Sequence, residues 1–174
     1  PATSSDSNYN TLNADDVNVT NADDDAAGIT VNPTAGLITT ESGGTASFTI
    51  VLNSIPTANV SISLSSSDTS EGTVSPTSVT FTPSTWNDAQ SVTITGIDDL
   101  VVDGSQAYTI ITAAATSSDT NFDGQNASDV SVTNSDNDVA NIAITPASGL
   151  VTSEGGTSDT FDVVLTSQPT ASVI

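Results

Sequence analysis

Three carboxylates, Asp98, Asp99 and Asp103, fall within residues 95–104 of this 174-residue chain. The runs on either side, residues 90–95 and 107–112, alternate apolar and polar residues as strands do, so these acids sit on a loop at one end of a sheet. Other acids fall at comparable turns: Glu41, Asp68, and Asp136 with Asp138. Ionised carboxylates only accept, and several brought together suit a hard cation that wants many oxygen ligands. The chain has neither histidine nor cysteine, which argues against zinc or copper. Calcium tolerates many ligands in loose geometry, whereas magnesium tends to keep its waters, so Ca2+ is the expected ion. Asp15, Asp16, Asp88 and Asp123 lack such company and read as solvated surface.

The same composition argues against an enzyme. No His, Cys, Lys or Arg is available as base, nucleophile or anion clamp. Two carboxylates alone can hydrolyse glycosides, but that needs a cleft with a raised-pKa acid, and aspartate-rich loops read better as ligands. No Gly-x-Ser-x-Gly elbow occurs. The pairs Gly43-Gly44 and Gly155-Gly156 precede strands without a lysine and read as turns. Trp86, alone on its turn, reads as a cap on the core.

The elements that must position the acids are short strands. Residues 28–31, 37–39, 45–52, 58–64, 78–82, 91–95, 108–111 and 129–133 carry the apolar residues, with turn signals between them. Period-two alternation buries one face of each strand and leaves the other wet. This predicts an all-β fold: an antiparallel, Ig-like sandwich of two sheets. No window has helical periodicity.

Twenty-one acids face no Lys or Arg, for a formal charge of −21, so the compact state repels itself unless counter-ions or bound metal neutralise it. Nucleic acid and anionic lipid are excluded as electrostatic partners. No apolar run approaches the ~20 residues that span a bilayer, so no membrane insertion is expected. The first residues have neither a positive nor an apolar region and are not a signal peptide.

The sequence repeats. Residues 33–41, from Pro33 to Glu41, return as residues 146–154, from Pro146 to Glu154, at an offset of 113. The same offset aligns Phe48 with Phe161, Leu52 with Leu165 and Pro56 with Pro169. It also aligns residues 2–6 with 115–119, and Asp23 and Asp25 with Asp136 and Asp138. A period this long is domain-sized. The organisation expected is one complete unit at residues 26–138. Residues 1–25 are the C-terminal part of a preceding unit, and residues 139–174 the N-terminal part of the next. The end pieces should order against a neighbouring copy or lie in a longer natural chain.

Thr40-Glu41 before the strand at residues 45–52, the Asp98-Asp99-x-x-x-Asp103 loop, and Asp136-Asn-Asp138 after the last strand together resemble tandem Calx-beta domains. These are calcium-binding sandwiches found in sodium–calcium exchangers and in long bacterial surface proteins. The resemblance covers the whole chain and implies ions at one end of the sandwich. The ligands it implies are Glu41, Asp68, Asp98, Asp99, Asp103, Asp136 and Asp138, with the backbone carbonyl of Val101. Gly104, Ser105 and Gln106 stand where strongly binding members carry more acids, and Asn137 interrupts the last triplet. Fewer or weaker ions are therefore implied.

The function expected is a structural repeat segment of an extracellular or cell-surface stalk, sheath, filament or adhesin, stiffened by calcium where units join. Its partners would be neighbouring repeats or copies of the same protein. The alternative is an adhesion module gripping a glycan or surface protein, which a glycan array would reveal. Triplets at Asn18, Asn59 and Asn126 fit the N-glycosylation pattern, one that arises often by chance in a chain so rich in Asn, Ser and Thr.

Overall fold

A computed structural model describes residues 1–174 as an all-β protein without helices. The strands are β1 (Ile29–Asn32), β2 (Leu37–Thr40), β3 (Thr45–Leu52), β4 (Val60–Ser66), β5 (Gly72–Ser75) and β6 (Ser78–Phe81). They continue with β7 (Gln90–Gly96), β8 (Gln106–Thr112), β9 (Thr116–Ser117), β10 (Val130–Ser135), β11 (Ile142–Thr145) and β12 (Asp162–Leu165). One sheet runs β1-β3-β7-β5; the other runs β2-β10-β8-β4-β6, with β9 also on β4. Residues 29–135 thus form the two-sheet, Ig-like sandwich that the alternation predicts.

Pairing is antiparallel except between β2 and β10, which run parallel from Leu37↔Val132 to Thr40↔Ser135. This exception matters for the site. It delivers the ends of β2 and β10 side by side to one pole, so Glu41 and Asp136 emerge together.

The alternating residues meet between the sheets. Phe48, Ile50, Leu52, Val92 and Ile94 from one face Val60, Ile62, Phe81, Tyr108, Ile110 and Val130 from the other, all buried in one cluster. Trp86 packs on its edge. Strand β5, which alternation does not reveal, carries one apolar residue, Val74. Gly72 opens β5 because a Cβ there would run into the Tyr108 ring.

Residues 1–25 hold no strand and are all exposed, while β11 and β12 pair as a separate hairpin. Each end piece repeats part of the sandwich's backbone contacts at the offset of 113. Ile142↔Leu165 reproduces Ile29↔Leu52. Ala2 N–H donates to Leu12 O and Thr11 N–H to Ala2 O, as Ala115 N–H does to Gln125 O and Gly124 N–H to Ala115 O. Thr11, at φ 70°, occupies the left-handed conformation that Gly124 takes at φ 78°.

Candidate metal centre

Two groups of three carboxylates form at the pole where β2, β7 and β10 end. Glu41, Asp136 and Asp138 bring their oxygens within 4.8 Å of one another, and so do Glu71, Asp99 and Asp103. Glu41 is the most enclosed, at 3% exposure. Its amide donates to Ser135 O (3.1 Å), continuing the β2–β10 ladder, and its Oε2 accepts from Asn137 N–H (2.9 Å). Asp136 is held at both oxygens: Oδ1 accepts from Asp138 N–H (2.7 Å) and Oδ2 from Gly104 N–H (2.8 Å). Asp138 is half-exposed as a residue, yet its Oδ2 is shut off from solvent with no hydrogen-bond partner.

The second group stands on β5 and on the loop between β7 and β8. Glu71 precedes β5, and its carbonyl accepts from Ile97 N–H (3.0 Å). Asp99 Oδ1 accepts from its own loop at Val101 N–H (2.7 Å). Below both groups lies a buried polar network. Asn134, 1% exposed, donates from Nδ2 to Ile97 O (2.9 Å) and to Glu71 Oε2 (3.4 Å). Its Oδ1 accepts from the Thr39 hydroxyl (3.0 Å), which in turn accepts from the Tyr108 hydroxyl (3.0 Å). Gly96 lets β7 pass this point, since a Cβ there would meet the Thr40 carbonyl and Asn134 Oδ1.

Of the residues singled out in the sequence, the structure groups Glu41, Asp136 and Asp138 together, and Asp99 with Asp103. Asp98 belongs to neither group but is near enough to repel Asp138. Asp68 spends Oδ1 on its own turn, accepting from Ser70 N–H (3.0 Å), and stands outside the groups. Val101 forms a parallel bridge with Gln168. Glu71 was not singled out. The only signal for it in the sequence is an acid three residues after Asp68, ahead of a strand with too little alternation to be seen.

The electrostatics are those of carboxylates crowded without a cation. Burial pushes Glu41 above its ordinary 4.5, and repulsion from Asp136, Asp99 and Asp138 adds to it. Burial likewise raises Glu71, with repulsion from Asp103, Asp68 and Asp99. Asp138 is raised from 3.8 by desolvation, then by Asp136, Asp98, Asp99 and Asp103. Asp136 goes the other way, because backbone N–H groups of Asp138 and Gly104 favour its charge.

These directions fix a pH dependence for the metal-free protein. Groups raised on folding bind protons more tightly when folded. Their stabilisation is complete below the unfolded values, 3.8 for Asp138 and 4.5 for the glutamates, and is lost as pH rises through the folded values. Asp68, Asp119, Asp136 and Asp159 are lowered by hydrogen bonds from 3.8, and their stabilisation is lost as pH falls below it. In chelator, the melting temperature should therefore rise as pH falls from 7 toward 4.5 and drop again below 3.8. Melting curves across this range check it; a monotonic fall from pH 7 downward would contradict it.

The residues fit a hard cation. Six carboxylates, no nitrogen or sulfur donor, and a buried carboxylate oxygen without a partner match the oxygen-rich sets that calcium takes.

No protein-family model and no curated protein matches the chain. Among solved structures it is similar to the apo-form Calx CBD1 domain, at 18% identity and TM-score 0.48, over 63% of this chain and 96% of that one. It is also similar to CBD12 from CALX1.2, at 18% identity and TM-score 0.49, over 72% of this chain and 51% of that one. A third is SSP-19, an MSP-domain protein like family member in Caenorhabditis elegans, at 16% identity and TM-score 0.41, over 61% and 96%. The strand order and register establish the class here: an Ig-like β-sandwich domain.

Proposed function

We propose that this chain is a segment of a tandem-repeat structural protein of the cell exterior, in which Ca2+ at one pole of each sandwich stiffens the junction to the next unit. The observation that carries this is the position of the two carboxylate groups. Asp136 and Asp138 belong to the very segment by which the chain leaves the sandwich for the β11–β12 hairpin. Glu41, Asp136 and Asp138 would hold an ion on one side, and Glu71, Asp99 and Asp103 on the other. An ion so held supplies positive charge that nothing in the sequence provides, and ties the exit segment to β2. Calcium modules outside cells work at dissociation constants of about 10⁻⁴–10⁻³ M, which suits a site of partly exposed loops. The repetition at an offset of 113 supports a spacer role, since a spacer needs copies and a ligand site does not.

Thermal melting of the full chain tests this. An ion that binds only the folded state adds about 2.7 kcal/mol at a hundredfold excess over its dissociation constant. For a chain of this size that corresponds to a rise of ~5–10 °C. Calcium should produce it, magnesium at equal concentration should produce less, and chelator should reverse it. No shift with calcium, or an equal one with magnesium, would contradict the proposal.

A further inference from the structure

The two poles of the sandwich carry matching halves of one contact. At the acidic pole, the loop after Asp99 reaches the hairpin that follows: Gln168 N–H donates to Leu100 O at 2.5 Å, and Val101 bridges Gln168 in parallel. A cleft of about 340 Å³ lies along this contact, lined by Val101 and Val102 on one side and by Ala140, Ser167, Gln168 and Thr170 on the other. At the opposite pole, a cleft of about 290 Å³ is lined by Ala27, Ser54, Ile55 and Thr57. Each of these four residues stands 113 positions before its counterpart in the first cleft, and three of the four pairs are identical. Asp23 and Asp25 line this second cleft, at the positions that Asp136 and Asp138 hold in the complete unit.

The second cleft thus shares these four corner positions with the first; in place of the loop its wall is completed by Asp119, Asn121 and Phe122 of the same sandwich. Ile55, where Gln168 stands in the hairpin, is 58% exposed, and its N–H makes no hydrogen bond within the chain. The loop is apolar as well: Leu100 and Val102 remain 58% and 46% exposed. We infer that the Ile55 corner is a socket for the Leu100–Val102 loop of a second copy of this sandwich, placed directly before it. Copies then stack pole to pole, each loop capping the next unit's β3–β4 corner through the Ile55 N–H and an aliphatic contact. The occupant is a copy of this unit because the one such loop in the structure already sits on the equivalent corner. The contact is made by backbone and aliphatic groups and does not rest on an ion.

Disulfide trapping tests it, because the chain has no cysteine of its own. The 174-residue chain is lengthened by a second copy of residues 26–138 inserted after Asp138. One version carries Val101→Cys in the first copy and Ile55→Cys in the second. The control carries Ile55→Cys in the first and Val101→Cys in the second, which places the thiols at poles facing away from each other. Bridging needs Cα atoms within about 4.4–6.8 Å, so only docked loops should close it. The first version should cross-link at least tenfold faster than the control, in calcium and in chelator alike. The unextended chain with Val101→Cys and Gln168→Cys calibrates the rate for a docked loop. Trapping of that pair, with equal slow rates in the two extended versions, would overturn the inference. Trapping in chelator separates this result from the fate of the calcium site, which the melting shift reads independently.

Discussion

Replacing Asp99 and Asp138 together by asparagine should remove the calcium response and leave the sandwich folded. The pair takes one charge from each carboxylate group. Neither change breaks a hydrogen bond that asparagine cannot keep. Asp99 accepts through one oxygen, from Val101 N–H, and Asp138 Oδ2 has no partner at all. Asp136 would be a poorer choice, because both its oxygens accept from backbone amides. The calcium-induced rise of ~5–10 °C should shrink to within ~2 °C in melting curves with calcium and with chelator. In chelator the variant should melt at or above the parent, since it carries fewer like charges at the pole. Asparagine at Asp15 and Asp16, which lie on the exposed N-terminal segment, should leave the response intact. A full calcium response in the Asp99→Asn/Asp138→Asn variant would mean that diffuse screening, not a site, is responsible.

Replacing Asn134 by alanine should damage both fold and site, although Asn134 is not placed to touch the ion. Its amide is the sole hydrogen-bond donor to the Ile97 carbonyl, and it also supports Glu71 Oε2 and accepts from Thr39. A buried polar group left without its partner costs about 1–3 kcal/mol, so losing this centre should destabilise by about 2–4 kcal/mol. Groups that orient metal ligands typically matter 10–100-fold in affinity, and calcium affinity should fall within that range. Urea denaturation in chelator measures the first effect and a calcium titration the second. A loss of stability with unchanged calcium affinity would show that Glu71 needs no such support.

What the sequence revealed, and what it hid, follows from how each element is encoded. Strands β3, β4, β7, β8 and β10 each carry several apolar residues in alternation, and these same strands supply most of the core. Their ends place Glu41, Asp99, Asp103 and Asp136 on loops, while the strand pairing decides which of these loops share a pole. Strand β5 buries little beyond Val74 and Gly72, so no period announces it, and Glu71 in front of it went unmarked. Asp68, three residues earlier, has the loop position of a ligand, but its oxygen closes an Asx turn on Ser70. The parallel β2–β10 pairing joins residues nearly a hundred positions apart, and nothing local in either strand specifies it. By contrast, identical residues recur at one offset in the sequence, and one strand register recurs with them, Ile29↔Leu52 as Ile142↔Leu165.

Calorimetric titration of calcium into the chelator-treated 174-residue chain reads out whether the two carboxylate groups bind the ion. Saturable binding of at least one ion per chain is expected, unchanged by Asp15→Asn with Asp16→Asn and at least ~100-fold weaker with Asp99→Asn and Asp138→Asn. Binding of the same strength in both variants, or no saturable binding in the parent, would contradict it.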